Sequence, residues 1–147
     1  MNEVRGIYNQ EDFDKLTNFL DKHEPLVGLF WRVACDTGFR VSDILRLRVH
    51  QLTDGLMTLT ESKTGKERGG RLSHSTLYAV CDYVADKKLL QSDIMFPITR
   101  QKVWRVIKNA GDAVGIPCLS LGHILRARHL PGVSWPLTRR LRHSKTS

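Results

Sequence analysis

The junction between two predicted helices reads Thr37-Gly38-Phe39-Arg40-Val41-Ser42-Asp43-Ile44-Leu45-Arg46-Leu47. Gly38 is expected to end the first helix, since glycine is the usual residue just beyond a helix C-terminus. Arg40 follows at once among apolar residues, where a charged side chain is costly unless a partner compensates it. The second helix is amphipathic and is predicted to start at Ser42-Asp43. The cost of placing Arg40 there indicates a functional role for this arginine.

Helical patterns extend along most of the chain. Their starts carry capping residues or an early proline, and apolar residues recur at helical spacing within them. Helices are predicted from Asn9 to Lys22-His23, from Glu24-Pro25 to Gly38, from Ser42-Asp43 onward, from a Ser75 cap, from a Thr99 cap to Gly115-Ile116-Pro117, over 119–130 and over 136–142.

The period changes after residue 52, where a small sheet is predicted. Thr53-Asp54-Gly55 has turn chemistry, and 56–60 is a strand rich in β-branched and apolar residues. Residues 62–70 are predicted to be a polar, basic hairpin region, and 71–73 to pair back as a short strand. The fold class is therefore mainly α, with a two- or three-stranded antiparallel sheet at one edge.

A length of 147 residues predicts one domain over 1–147 with its own core, and no linker or repeat divides it. No apolar run is long enough to span a membrane, and Met1-Asn2-Glu3-Val4-Arg5 lacks a signal pattern. A cytoplasmic protein is predicted. The three cysteines, Cys35, Cys81 and Cys118, have no CxxC spacing, so neither a disulfide nor a zinc site is expected. Cys35 and Cys81 are predicted to be small buried hydrophobes.

The net charge of +8 points to a polyanionic partner, nucleic acid first. Residues 118–147 form a basic C-terminal segment with six lysines and arginines and no acidic residue. Charge alone leaves open whether this segment is a solvated tail or a DNA contact. Few apolar anchors occur in its last 17 residues, which predicts partial disorder in isolation.

Four basic groups stand beside structural breaks: Arg40, Lys63, His123 with Arg126, and His143. Taken singly, each has an ordinary explanation. Arg40 would cap a helix C-terminus, Lys63 would be a solvated hairpin lysine, and His123 would be a core histidine with satisfied hydrogen bonds.

The order and context of these groups resemble the tyrosine recombinases, the phage integrase family. Residues 37–47 are similar to the first box of that family, T-G-hydrophobic-R-hydrophobic-S-E/D-hydrophobic-hydrophobic-x-L, with Asp43 in the acidic position. Lys63-Thr64-Gly65-Lys66 looks like the family's β-hairpin, and His123-Ile124-Leu125-Arg126 matches the H-x-x-R of its second box. Leu141-Arg142-His143-Ser144 resembles the L-G-H-S that follows, with Arg142 where glycine is usual.

The resemblance implies the catalytic-domain fold of DNA breaking-rejoining enzymes and site-specific recombination or integration through a phosphotyrosyl intermediate. It implies no metal and no cofactor. Arg40 and Arg126 would hold the scissile phosphate through paired hydrogen bonds. Lys63 would protonate the departing 5′-oxygen.

The remaining site residues take their roles from the same resemblance. His123 would assist proton transfer, His143 would donate a hydrogen bond to the phosphate, and Asp43 would steady the arginine and histidine groups. Contacts to double-stranded DNA are predicted for Lys66, Arg68, Arg71, Arg139 and Arg140.

Three departures from the family qualify the prediction. The tyrosines Tyr8, Tyr78 and Tyr83 all precede the second box, whereas the family's nucleophile follows the position of His143. The interval from Arg126 to His143, 17 residues, is shorter than in the family. The amino-terminal DNA-clamping domain of many members is expected to be absent.

The first hypothesis is therefore a recombinase catalytic-domain fragment from a phage or mobile element, located in the cytoplasm of a bacterial or phage-infected cell. It binds DNA, is inactive alone for want of the tyrosine, and is expected to be monomeric, with self-association on DNA in the full-length protein. The alternative is a non-catalytic DNA-binding module or regulator on the same scaffold. A third hypothesis is a basic helical protein with a partner other than DNA.

Overall fold

The computed structural model describes residues 10–116, which form five α-helices, one 3-10 turn and three strands. The helices are α1 (Gln10–His23), α2 (Pro25–Thr37), α3 (Val41–Ile44), α4 (His74–Asp86) and α5 (Arg100–Ala113), with the 3-10 turn at Val49–Gln51. The strands are β1 (Leu52–Thr53), β2 (Leu56–Thr60) and β3 (Glu67–Arg71). The chain divides into two compact units; the described residues of the first are 10–31 and 98–116, and those of the second are Arg32–Pro97.

The first unit packs α1 and α5 together. α1 buries Leu16 and Leu20 completely, which is the helical spacing expected of an amphipathic helix. Trp31 is also buried, and its indole Nε1 donates a hydrogen bond to Thr17 Oγ1 at 2.8 Å. This bond satisfies the one polar atom of the largest side chain in the core of the unit. The Thr99 cap of α5 is confirmed, because Thr99 Oγ1 accepts a hydrogen bond from the Lys102 amide at 3.1 Å.

The second unit carries an antiparallel sheet in the order β1-β2-β3. β1 and β2 meet in a tight turn at Asp54 (φ 51°) and Gly55 (φ 79°), a conformation that asparagine, aspartate and glycine tolerate best. β2 pairs with β3 from Leu56↔Arg71 to Thr60↔Glu67. The predicted strand 56–60 is confirmed, and within residues 10–116 the sheet has three strands.

The predicted return strand is misplaced. β3 begins at Glu67 and ends at Arg71, so residues 67–70 are strand and Leu72 and Ser73 lie beyond it. Charged residues and glycines have low strand propensity, which is why local pattern favoured a hairpin region there. Gly70 pairs with Met57 in the strand, and a side chain is excluded there because a Cβ at that position would lie 2.7 Å from the Cβ of Thr37. The backbone of β3 approaches α2 at a distance that only glycine allows.

Helix α4 corrects two further expectations. Its N-cap is Ser73, whose Oγ accepts from the Thr76 amide at 3.2 Å, and Ser75 lies inside the helix. Cys81 is exposed, so the prediction that it is a buried hydrophobe is wrong, whereas Cys35 is buried as expected. The inward face of α4 is formed around Thr76 and Val80 instead.

The predicted helices over 119–130 and 136–142, the Asn9 cap and Cys118 lie outside the described residues. Within residues 10–116, no helix is long and apolar enough to cross a membrane. The same residues contain no cluster of three or more histidine, cysteine or acidic side chains suited to a metal ion.

Candidate active site

Arg40 lies in the short connection between α2 and α3. Gly38 adopts φ 73° and closes α2, with its amide bonded to Ala34 O at 2.8 Å. Thr37 Oγ1 then accepts from the Phe39 amide at 3.2 Å. Phe39 is 1% exposed and Val41 is 7% exposed, so the residues on either side of Arg40 anchor the backbone in the core.

The side chain of Arg40 is not buried as the sequence suggested. It is 46% exposed, and it does not cap α3 although it occupies the N-cap position. The expectation of a costly buried arginine is therefore wrong. Because its neighbours face inward, the guanidinium is directed outward from a fixed stretch of backbone, where it is available to an anion.

A buried charge beside Arg40 belongs to Glu61, the residue that follows β2. Its side chain is 9% exposed, and its two carboxylate oxygens have different partners. Oε2 accepts a hydrogen bond from Arg68 Nη1 at 3.1 Å and lies 4.0 Å from Arg40 Nη1. Oε1 accepts a hydrogen bond from Thr64 Oγ1 at 2.8 Å. One carboxylate thus joins two arginines to the turn that follows β2.

Electrostatics at Glu61 favour the ionised form. The hydrogen bonds from Thr64 and Arg68 are the largest effects that lower the pKa of this carboxyl below its ordinary 4.5. Burial opposes them, and the positive charge of Arg40 adds a further lowering. Glu61 is therefore a carboxylate at neutral pH.

Strand register explains why these groups meet. Successive residues of a strand point to opposite faces, so Glu61 continues the inward row of Met57 and Leu59. Arg68 is directly opposite Leu59 in the β2–β3 pairing and shares that face. Its guanidinium carbon also lies 5.7 Å from the centre of the Phe39 ring, a cation–π distance.

Lys63 lies in the turn between β2 and β3. The turn is closed by two backbone hydrogen bonds of 2.8 Å, from the Gly65 amide to Glu61 O and from the Glu61 amide to Lys66 O. Gly65 has φ 73°, which favours glycine at this position. Lys63 and Lys66 are exposed, so both ammonium groups extend from a turn whose backbone is defined.

Asp43 fastens the start of the same turn. It is buried, and its Oδ1 accepts from the Ser62 amide at 3.3 Å and from Ser62 Oγ at 3.2 Å. Arg46 Nη1 lies 3.7 Å from the same oxygen. In the described part of the chain, Asp43 therefore holds the residue that precedes Lys63.

Two predicted DNA-contacting arginines have structural partners. Arg68 is bonded to Glu61, and Arg71 Nη1 donates to Asp54 O at 3.1 Å, which braces the turn between β1 and β2. The structure thus brings Arg40, Arg68 and the Lys63 turn into one network, with Lys66 exposed beside them. The other predicted residues, His123, Arg126, Arg139, Arg140 and His143, lie outside the described residues, and their roles stay predictions.

Glu61 was not among the residues singled out from the sequence. A signal for it was present, since an acidic residue two positions after Leu59 continues the inward face of β2. An inward carboxylate at the end of a strand requires a partner, and basic residues follow in the hairpin.

The comparisons with known proteins agree with this architecture. The model of the phage integrase family matches residues 8–138. No curated protein sequence matches the chain. Among solved structures, the XerA recombinase has a TM-score of 0.70 at 17% identity, over 86% of this chain and 48% of that one.

Two lambda integrase structures show what share of a longer and of a shorter similar protein this chain covers. Lambda integrase bound to DNA has a TM-score of 0.63 at 21% identity, over 100% of this chain and 54% of that one. The lambda integrase catalytic core has a TM-score of 0.64 at 22% identity, over 97% of this chain and 86% of that one. The chain thus spans about half the length of the XerA recombinase (48%) and of the DNA-bound lambda integrase (54%). These matches confirm the predicted fold class, which is mainly α with a small antiparallel sheet, as in integrase catalytic domains. The model of the phage integrase family matches most of the length of the chain, and the chain therefore belongs to that family.

Proposed function

We propose that this chain is a catalytic-type domain for site-specific DNA recombination or integration, and that double-stranded DNA is its substrate. The observation that carries the proposal is the network around Glu61, which holds an outward-facing arginine next to the turn bearing an exposed lysine. Membership of the phage integrase family and the fold shared with lambda integrase bound to DNA support the same substrate.

Each described residue has a chemical task in this proposal. Arg40 donates paired hydrogen bonds to the non-bridging oxygens of the scissile phosphate, where charge accumulates in the transition state. Lys63 donates its proton to the departing 5′-oxygen. Asp43 holds Ser62 and thereby fixes the start of the turn from which the Lys63 side chain extends. Arg126, His123 and His143 complete the phosphate site in the proposal, and Lys66 with the basic C-terminal segment contacts the DNA backbone.

Strand cleavage needs a nucleophile, and the described tyrosines are poorly suited to the role. Tyr83 donates its hydroxyl to Met95 O at 2.8 Å, and burial raises the pKa of its phenol. Tyr78 is 70% exposed on α4. Neither belongs to the Glu61 network, so we propose that the 147-residue chain binds DNA without cutting it, and that a tyrosine downstream of His143 supplies the attack in a longer protein that also self-associates on DNA.

A nicked duplex that traps covalent intermediates tests this function. The 147-residue chain should shift the duplex in a gel in a strongly salt-dependent manner, because each neutralised phosphate releases counterions. It should leave no covalent adduct after denaturation, whereas a longer chain with a tyrosine beyond His143 should leave one. An adduct with the 147-residue chain would refute the inactive-fragment proposal, and failure to bind any duplex at micromolar concentration would refute the DNA substrate.

A non-catalytic DNA-binding module is the second candidate. The exposed Lys63 and Lys66 side chains on the turn between β2 and β3 favour it, since a lysine binds phosphate as a point charge without any need for strand cleavage. In that case a longer chain ending in tyrosine would bind DNA but form no adduct.

A further inference from the structure

Glu61 uses its two carboxylate oxygens for two separate purposes. Oε1 accepts the Thr64 hydroxyl at 2.8 Å, and Oε2 faces the two arginines. A carboxylate has enough lone pairs to serve both sides at once. The division of its oxygens connects the hairpin turn to the arginine pair through a single, largely buried side chain.

The two arginines are held unequally. Arg68 is 3.1 Å from Oε2 and also lies over the Phe39 ring, so contacts on two sides fix it. Arg40 is 4.0 Å from the same oxygen and remains 46% exposed. Arg68 therefore takes the direct hydrogen bond, while Arg40 stays within the attraction of the carboxylate with its donors available to another anion.

Thr64 carries the other half of the connection. Its Oγ1 donates to Glu61 and accepts from the Lys66 amide at 3.2 Å. The hydroxyl thus ties the carboxylate to the backbone of the turn, and Lys63 lies between the two tied positions. Movement of the Glu61 side chain would loosen this turn and withdraw the carboxylate from both arginines at once.

We infer that Glu61 is a positioning residue, which keeps the Arg40 guanidinium and the Lys63 turn in fixed relation before DNA binds. The inference rests on the proposed function for the roles of Arg40 and Lys63, but the geometric connection itself requires no DNA. This role differs from general stabilisation of the fold, because Glu61 couples two particular groups, the Arg40 guanidinium and the turn that carries Lys63.

The first experiment needs no DNA and compares Glu61→Gln with Glu67→Gln by NMR. Glu67 is exposed in the same hairpin, so its variant removes the same charge without touching the network. In Glu61→Gln we expect the Gly65 and Lys66 amides to exchange at least about tenfold faster, and the Arg40 Nε–H signal to shift. Glu67→Gln should leave both unchanged. Unaltered exchange and an unaltered Arg40 signal in Glu61→Gln would overturn the inference.

The second experiment measures coupling in DNA binding by a double-mutant cycle. Arg40→Ala should lower the affinity for a duplex about tenfold in the wild-type background, and less than about threefold in the Glu61→Gln background. The loss should stay about tenfold in the Glu67→Gln background. Equal losses in all three backgrounds would overturn the inference. If the wild-type chain binds no DNA, the proposed function fails, and the NMR comparison alone decides the role of Glu61.

Discussion

The Glu61 carboxylate and the Arg68 guanidinium lie 3.1 Å apart on the inward face of the sheet. The buried carboxylate needs the arginine there, since the Glu61 side chain is 9% exposed and that of Arg68 is 41% exposed. Without Arg68, the Thr64 hydroxyl would be the one close hydrogen-bond donor among residues 10–116 to a carboxylate side chain that is 9% exposed. A buried acid with one partner removed is usually strongly destabilising, because the charge stays out of water without compensation. The pair therefore decides whether the hairpin can place its turn beside Arg40.

Acid should weaken the fold through Glu61. Because the folded state lowers the pKa of Glu61 below its ordinary 4.5, the contribution to stability is fully present above that value and is lost as the pH falls through the lowered one. Urea unfolding from about pH 7 to about pH 3 should show this loss in the wild type.

The Glu61→Gln variant carries no charge to titrate at that position. It should be less stable than the wild type at neutral pH and show a flatter pH profile in the acid range. Glu67→Gln, which changes an exposed carboxylate, should keep the acid profile of the wild type. A Glu61→Gln profile as steep as the wild type would place the acid sensitivity elsewhere.

Two adjacent glycines of β3 should respond differently to alanine. A Cβ at Gly70 would meet the Cβ of Thr37 at 2.7 Å, whereas a Cβ at Gly69 would meet Leu56 Cδ1 at 3.5 Å, an ordinary contact. Gly70→Ala should therefore destabilise the protein by about 1–3 kcal/mol, the usual cost of overpacking. Gly69→Ala should change the free energy of unfolding little. Equal effects in urea unfolding would show that the approach of β3 to α2 is not a constraint.

These glycines also show what sequence could and could not predict. The end of α1, the starts and ends of α2 and α5 and the whole of β2 followed from caps, an early proline, glycine stops and apolar patterns, which act locally. β3 did not, because residues 67–71 are a strand through their pairing with β2, and glycine is required at Gly70 by Thr37, which lies more than thirty residues away in sequence. The exposure of Cys81 likewise depends on which face of α4 the rest of the unit covers.

The residues of the candidate site also divide into those that the sequence could identify and those that it could not. Arg40, Asp43 and Lys63 could be found because a family motif marks them. Glu61 could not be found that way, since its partners are set by strand register and by the packing of Phe39 under Arg68. The exposure of Arg40 could not be predicted from the local sequence pattern either. Its apolar neighbours suggested that the arginine is buried, whereas they are buried themselves and direct its side chain outward.

The hydrogen bond between Trp31 and Thr17 should stabilise the first unit. Thr17→Val keeps the shape of the side chain but leaves the buried indole N–H, now 2.8 Å from Thr17 Oγ1, without that acceptor. A loss of about 1–3 kcal/mol is expected in urea unfolding, the usual cost of an unsatisfied buried donor. Thr17→Ser retains the hydroxyl and should lose less. The reverse order would indicate that the methyl group of Thr17 matters more than its hydrogen bond.

Binding to duplex DNA should depend on the shape of the Arg40 side chain as well as on its charge. Arg40→Lys keeps the charge but not the planar fork that matches two phosphate oxygens, so it should lose most of what Arg40→Ala loses, about tenfold in affinity. Lys87, at the end of α4, is 63% exposed, and Lys87→Ala removes one charge with a smaller expected loss. Gel-shift titrations at several salt concentrations separate the effect of charge from the effect of side-chain shape. Loss of a simple phosphate contact reduces the slope of log affinity against log salt concentration by about one. Affinity unchanged in Arg40→Lys would mean that Arg40 acts as a point charge, which would favour the non-catalytic DNA-binding module over a phosphate clamp.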